Sequence, residues 1–373
     1  MINDAERTSR ELKPLIWVLL GDKPGDNAHL LNIAKALSLP FKTVVLPARK
    51  RKKALKFIFR PAIAHCVSPL GNLDETMQWP ELILTTGRNL IMAALWLQRK
   101  ANYKPKIVLI GWPNIGFSFR CESHWARQFS LVIYSGVERL PDSANALVTR
   151  LPQIGSVDAA GETAKKDDSA PIAVLLVGGP TSQFAMPVST IASVLYESAK
   201  LLTTESLHVV TSRRTPDDVL DYLRNHLPEN SLLHEWGASD EANVYTNLLN
   251  DADKIIVTGD SISMLMDAVT RAKPMSIAVL PYRNTLARLQ DWVNLDHNIR
   301  EKPISVFVLN QIFSIAKKLG LIRTAQYTTH LHKQLVDLEM AKLLPDGFSQ
   351  GGIFPPSEMS SVSAGIKHLL TVE

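Results

Sequence analysis

The chain has 373 residues, of which 46% are hydrophobic and 21% are charged, proportions typical of an ordinary soluble globular protein. Its length exceeds what one core usually supports and favours two domains. The net charge is +5 and there are two cysteines, Cys66 and Cys121. They are too few for a disulfide framework and form no metal-ligand pair, so a reducing compartment is expected.

Residues 1–13 are polar and charged and are not followed by the apolar core and cleavage site of a signal peptide. No apolar run approaches the roughly 20 residues that a membrane-spanning helix needs. The sequence therefore predicts a cytoplasmic protein.

Apolar runs of strand length alternate with helical patterns in the first half of the chain. Strands are predicted at 15–20, 43–46, 81–84, 106–110 and 131–134, and helices at 27–37 and 89–99. The strands are hydrophobic almost throughout, which is typical of strands buried on both faces in a parallel sheet covered by helices.

A basic cluster lies between the second and third of these strands, with Phe57 and Phe59 close behind it. Its residues are Arg49, Lys50, Arg51, Lys52 and Lys53. It is either a solvated loop or a peripheral contact with an anionic membrane surface. Nucleic acid is not an expected partner, because no zinc-finger or ribonucleoprotein motif accompanies the cluster and the rest of the chain is close to neutral.

The polar segment 156–170, which has no aromatic residue, is predicted to be an interdomain linker. Strands follow at 172–177, 207–211, 232–236, 254–257 and 275–280, with helices at 187–202, 216–226 and 262–271 and a helical tail, clearest at 306–319 and 330–344. The sequence thus predicts an α/β protein with two Rossmann-like, doubly wound parallel-sheet domains, 1–156 and 170–373, that face a cleft.

Ligands of open parallel sheets bind beyond the carboxyl ends of the strands, and three such junctions in the second domain carry suitable residues. The first has Gly178, Gly179, Thr181 and Ser182. Glycines permit close backbone approach, and hydroxyl and N–H groups suit an anion, although Gly-Gly-Pro is also an ordinary turn.

The second junction, T-S-R-R-T-P, places Arg213 and Arg214 directly before a helix. A helix start is electrostatically unfavourable for cations, so a bound anion explains the arginines better than a surface role does.

The third junction is V-T-G-D-S-I-S-M, where Asp260 and Ser261 precede an apolar helix. Ser263 and Asp267 are four residues apart and share a helix face, and Asp260 is near the same line. Free N–H groups there suit a diphosphate, and an acid further along can accept hydrogen bonds from ribose hydroxyls. The alternative is that Asp260 or Ser261 is only an N-cap, which leaves Asp267 unexplained.

Two other groups of polar residues are weaker candidates. Asp22, Asp26 and His29 follow the first strand and are the titratable groups that could face the cleft, although turn acids also cap helices. His330 and His332 are two apart, fall on different faces of a helix and make a poor metal pair. No metal site is predicted.

Five motifs occur in the order L-L-G-D-K-P-G-D-N, T-T-G-R-N, T-S-R-R-T-P, N-V-Y and V-T-G-D-S-I-S-M. They resemble the mitochondrial fission ELM family, whose bacterial members are often labelled nucleoside-diphosphate-sugar epimerases. The last motif is the most specific, whereas N-V-Y departs from the N-P-Y of the family. The family is similar in turn to two-domain glycosyltransferases of the B type (GT-B), in which the second domain holds the nucleotide sugar and the first holds the acceptor.

The resemblance implies roles for two acids. Asp267, seven residues before Pro274, takes the place of the glutamate that binds the donor ribose, with a shorter side chain. Asp26 takes the place of a histidine that follows the first strand in the enzyme that adds N-acetylglucosamine to the peptidoglycan lipid.

The leading hypothesis is a glycosyltransferase that transfers a sugar from a nucleoside-diphosphate donor to an unidentified acceptor. Asp26, or else Asp22, would be the general base, and helix N–H groups and arginines would replace a metal, so no cofactor is expected. The alternatives are an epimerase, with Asp22, Asp26 and His29 as its acids and bases, and a non-catalytic scaffold on the same fold.

Overall fold

The computed structural model describes residues 14–22, 24–46, 78–111, 126–135, 144–152, 171–237, 241–295, 328–353 and 358–371. The basic cluster at 49–53, both cysteines, the predicted linker at 156–170 and the predicted helix at 306–319 lie outside these ranges. None of the helices within them is long and apolar enough to cross a membrane.

The first sheet contains six parallel strands in the spatial order β2-β1-β3-β4-β5-β6. They are β1 (Ile16–Leu20), β2 (Phe41–Val45), β3 (Leu82–Thr86), β4 (Lys106–Ile110), β5 (Leu131–Ser135) and β6 (Ala146–Thr149). Among the described residues, the helices that follow strands of this sheet are α1 (Pro24–Leu37) and α2 (Gly87–Lys100). The central strands are buried on both faces, which explains their continuous apolar sequences.

The second sheet also has six parallel strands, in the order β12-β11-β10-β7-β8-β9. They are β7 (Ile172–Val177), β8 (Ser206–Thr211), β9 (Ser231–His234), β10 (Lys254–Thr258), β11 (Met275–Ala278) and β12 (Lys342–Leu343). The helices of this part are α3 (Val188–Leu201), α4 (Asp217–His226), α5 (Glu241–Asp251), α6 (Ile262–Val269), α7 (Thr285–Leu295) and α8 (Thr328–Asp337). The predicted class, α/β with two doubly wound parallel sheets, is confirmed.

The chain divides into two compact units, and the division between the sheets falls after Thr149. The last helix, α9 (Met359–Thr371), belongs to the first unit. Val362 and Ile366 on one face of α9 are fully buried in the core of that unit, and α9 packs against α1. The boundary drawn from the sequence, 170–373, had instead placed these residues in the second domain.

The helix predicted at 330–344 ends earlier than expected, at Asp337. Glu339 adopts a left-handed conformation with φ 57°, and the N–H of Met340 donates to the carbonyl of Leu335 at 2.9 Å. This Schellman-type ending usually uses glycine, so the sequence did not reveal it. Within the described ranges, sequence periodicity missed β6, α5, α7 and β12, whereas α9 lies in the predicted helical tail.

His29 lies on α1, and its ring nitrogen Nε2 is buried without a hydrogen-bond partner in the described part of the chain. Burial lowers the pKa of His29 to about 3. The imidazole is therefore neutral at neutral pH and poorly suited to act as an acid or base.

We expect the first unit to lose stability in acid because of this histidine. Its stabilisation is complete above the unfolded pKa of 6.5 and declines as pH falls toward 3, so unfolding free energy should drop by about 2 kcal/mol between pH 7 and pH 5. Urea unfolding followed by circular dichroism measures this, and His29→Gln should reduce the drop by about 2 kcal/mol, while any drop that remains belongs to other buried histidines such as His332. A full drop in His29→Gln would assign the acid sensitivity to other groups.

Candidate functional site

The carboxyl ends of β7 and β10 form the point at which the strand order of the second sheet reverses. The chain runs from β7 to β8 and β9 on one side, whereas β10, β11 and β12 lie on the other. Two of the three predicted junctions therefore meet here, Gly178-Gly179 after β7 and Gly259-Asp260-Ser261 after β10. Such a switch point is the usual ligand site of an open α/β sheet.

Asp260 is only 1% exposed, and its carboxylate accepts three hydrogen bonds from different junctions. The donors are the N–H of Gly179 at 3.0 Å, the hydroxyl of Thr258 at 2.8 Å and the guanidinium of Arg214 at 2.8 Å. Burial raises the pKa of Asp260, and the Gly179 N–H and the charge of Arg214 oppose that rise. The carboxylate of Asp260 therefore links the ends of β7, β8 and β10 to one another. Direct contact with a ligand is not its expected role.

The two glycines are required by packing at this junction. A Cβ on Gly178 would lie 2.3 Å from the Asp260 carboxylate, and a Cβ on Gly179 would lie 2.2 Å from the carbonyl oxygen of Arg214. Real Cβ atoms do not approach other atoms this closely. Only glycine therefore leaves room at these positions for the Asp260 carboxylate and the backbone of Arg214.

The T-S-R-R-T-P junction is tied to the glycine turn by its hydroxyl groups. Ser212 and Thr215 both donate to the carbonyl of Gly178, at 3.0 and 2.8 Å. Arg214 keeps 38% of its side chain exposed while it pairs with Asp260. Arg213 is exposed, so the two arginines differ: Arg214 is held in place and Arg213 faces solvent.

The start of α6 has no side-chain cap. Ser261 is the N-cap residue, with φ −120°, and its side chain makes no capping hydrogen bond. The carboxylate of Asp260 is bonded to Gly179, Arg214 and Thr258 and to no N–H of α6, and Ser263 lies half-buried in the first turn. The N-cap explanation of Asp260 and Ser261 is therefore not supported, and the first N–H groups of α6 have no acceptor from either side chain.

Asp267 lies half-buried further along α6 and has partners different from those of Asp260. The hydroxyl of Tyr245, on α5, donates to its Oδ2 at 3.1 Å. Burial raises the pKa of Asp267, while the Tyr245 hydrogen bond and the charge of Arg271 oppose that rise. Asp260 and Asp267 therefore have no hydrogen-bond partner in common among the described residues.

Thr181 and Ser182 form the outer part of the turn after β7. The hydroxyl oxygen of Thr181 accepts the N–H groups of Gln183 and Phe184, at 3.2 and 3.0 Å, so it shapes the turn. Ser182 is exposed and is better placed than Thr181 to meet a ligand.

Trp236 is a candidate that sequence reasoning missed, because it was counted as the end of a strand. It follows β9, the residue is 51% exposed, and its backbone N–H donates to the hydroxyl of Thr211 at 2.9 Å. That hydrogen bond attaches the backbone of Trp236 to the end of β8, next to the arginine junction. An exposed aromatic directly after a strand was the signal that could have identified it.

The first sheet reverses its strand order between β1 and β3, and the remaining candidates lie there. Asn27 bonds both the N–H and the carbonyl of Gly21, at 2.8 and 2.9 Å, and closes the turn after β1. A Cβ on Gly87, the first residue of α2, would lie 3.7 Å from the Asp26 carboxylate, so Asp26 sits at a helix start, whereas Asp22 is exposed. Within the described ranges, no group of three or more acidic, histidine or cysteine side chains is arranged to hold a metal.

Gly179→Ala should disrupt the junction, since its Cβ would meet backbone that cannot rotate away. We expect unfolding free energy to fall by about 1–3 kcal/mol, as in other overpacked sites. Gly21→Ala is the matched control, because its Cβ would first meet a Leu90 side chain at 3.4 Å. Urea unfolding of both variants tests this, and equal losses would show that the close approach does not matter.

Comparison with known proteins adds three likenesses. The family model described as Mitochondrial fission ELM1 matches residues 24–295. An uncharacterised protein of Rickettsia prowazekii is 22% identical over 305 residues, which cover 73% of this chain and 85% of the relative. The S. aureus MnaA–UDP co-structure matches with a TM-score of 0.50 and 13% identity over 96% of this chain and 98% of that chain, a likeness of fold. The family model spans well over half of the sequence, and the chain belongs to the Mitochondrial fission ELM1 family.

Proposed function

We propose that this chain is a GT-B-type glycosyltransferase whose second unit holds a nucleoside-diphosphate sugar at the start of α6. The observation that carries the proposal is the uncapped start of α6 beside Arg214, which Asp260 fixes in place. Unpaired N–H groups and the positive end of the helix dipole favour an anion of diphosphate size at such a start.

The charges near the start of α6 favour an anion once Arg214 and Asp260 are treated as a neutral ion pair. A lone carboxylate at position 260 would repel a diphosphate, but Arg214 at 2.8 Å offsets its charge. The helix start and the exposed Arg213 then remain as the positive groups. Hydroxyls of Ser261, Ser263 and Ser182 supply neutral donors, so the leaving diphosphate would be stabilised by protein groups.

The nucleoside would extend from the diphosphate toward Asp267 and Trp236. One oxygen of Asp267 accepts from Tyr245, and the other would accept a ribose hydroxyl. Trp236 offers an exposed indole on which a base can stack. The co-structure of S. aureus MnaA with UDP, whose fold resembles this one, supports a nucleotide as the ligand class.

Acceptor-side roles are proposed for the first unit. Asp26 would be the general base, and its place at the start of α2 suits a charged carboxylate. Asp22 is the second choice. The basic residues Arg49, Lys50, Arg51, Lys52 and Lys53 would bring the protein to an anionic membrane surface, a role that rests on their composition alone.

Epimerisation is less well supported than transfer. An epimerase needs acid and base groups on both faces of one sugar, and His29, one of the three candidates, has a buried Nε2 and a lowered pKa that keeps the ring neutral. We expect donor incubated alone in deuterated water to incorporate no deuterium into the sugar, as judged by mass spectrometry. Exchange of a sugar proton would favour the epimerase, and intact donor after long incubation with many acceptors would favour a scaffold.

Nucleotide binding tests the proposal directly. We expect UDP, CDP or GDP to bind in isothermal titration calorimetry, and Asp267→Asn to weaken binding by about 1–3 kcal/mol, the value of a charge-assisted hydrogen bond. The melting temperature should be unchanged, because burial penalises the charge of Asp267 in the folded state and Asn has the same size.

Tyr245→Phe is the matched control for Asp267→Asn. It removes the hydrogen bond to Oδ2 and leaves the carboxylate in place, so affinity should change by less than about threefold. If both variants lose affinity equally, the Tyr245 contact, rather than a ribose contact, explains the loss. If none of the three nucleotides binds to the unaltered chain, the proposed function is wrong.

A further inference from the structure

His332 on α8 lies against the candidate site, although the sequence offered it only as half of a poor metal pair. The side chain is 5% exposed, and its Nε2 lies 2.8 Å from the carbonyl oxygen of Gly259. A carbonyl can only accept, so Nε2 carries the proton and donates. The acceptor is the residue directly before Asp260.

The imidazole packs on the backbone of this junction with no intervening side chain. A Cβ on Gly259 would lie 2.4 Å from Cε1 and 2.6 Å from Nε2 of His332. Glycine at position 259 therefore allows the ring to approach, and the ring in turn occupies the space into which the junction could move.

The same ring contacts the turn after β7. It stacks on Phe184, with ring centroids 6.3 Å apart and planes 14° apart. The N–H of Phe184 is bonded to the hydroxyl of Thr181, so the stack reaches the Gly178–Ser182 turn. One side chain thus touches both junctions that meet at the switch point.

The buried carboxylate of Asp291, on α7, anchors this arrangement. Its Oδ1 accepts from Thr329 on α8 at 2.5 Å and from Gln183 at 2.9 Å, and its Oδ2 accepts from Tyr282 at 2.5 Å. Asp291 therefore ties the helix that carries His332 to the turn that carries Phe184.

We propose that His332 is a positioning residue of the donor site, which holds the start of α6 and the turn after β7 in register through its Nε2–H donor and its ring face. That this site binds a sugar donor rests on the proposed function, whereas the effect of His332 on the two junctions does not. Burial lowers the pKa of His332 to about 4, so the ring is a neutral, fixed donor at neutral pH.

His332→Gln and His332→Asn test this as a matched pair in the full-length chain. The amide nitrogen of Gln reaches the depth of Nε2, whereas that of Asn stops at the depth of Nδ1. Amide hydrogen exchange without nucleotide should be about tenfold faster in Asn than in Gln at residues 181–184 and 259–264. In calorimetry, Asn should bind UDP, CDP or GDP about tenfold more weakly, with Gln within about threefold of the unaltered chain.

The outcomes separate this proposal from the proposed function. Equal behaviour of Gln and Asn in both measurements, or a lower melting temperature in Asn with unchanged exchange, would overturn positioning through Nε2. If the unaltered chain binds no nucleotide, the proposed function fails, and hydrogen exchange alone decides the role of His332.

A second variant covers the case in which His332→Asn does not fold. Phe184→Leu keeps the Nε2–H hydrogen bond but removes the ring stack. The rate of amide hydrogen exchange should then rise at residues 181–184 and stay unchanged at residues 259–264. No change at either segment would overturn the proposal.

Discussion

The carboxylate of Asp260 receives an N–H from the end of β7, a guanidinium from the end of β8 and a hydroxyl from the end of β10. A buried carboxylate is costly unless its oxygens are paired and hydrogen-bonded, and here all its donors come from the edge at which a ligand would bind. Gly178 and Gly179 have no side chains for the same reason, since any Cβ would displace this carboxylate or the backbone of Arg214. The geometry of the switch point depends on this interaction.

That constraint divides the polar residues of the site into two groups. Asp260, Arg214, Thr258 and the two glycines are engaged with each other and build the edge. The groups proposed to meet a ligand are Ser261, Ser263, Ser182, Arg213 and one oxygen of Asp267. The positive end of α6 can act on an anion because the internal acid is already paired.

Burial also shifts the pKa values of ionisable groups in both units. It raises the pKa of Asp260 and Asp267 and lowers the pKa of His29 and His332, since a charge loses its hydration in each case. The two histidines are therefore packed as neutral rings, one in the first unit and one against the candidate site. For proton transfer we propose Asp26 in preference to either of these histidines.

The sequence by itself determined the fold class and supplied the hypothesis of where a ligand binds. Strands covered on both faces must be apolar almost throughout, and the polar residues after β7, β8 and β10 mark the edge where ligands bind. Only the tertiary structure decided the partners: Asp260 meets Gly179, 81 residues away, and Arg214, 46 residues away, and His332 meets Gly259 across 73 residues. Local patterns carry no record of such contacts, so Asp260, which is bonded inside the protein, and Asp267, the proposed ribose acceptor, look alike in sequence. The left-handed Glu339 that ends α8 could not be predicted for a related reason, because a non-glycine residue adopts there, together with two backbone hydrogen bonds, a conformation that sequence assigns to glycine.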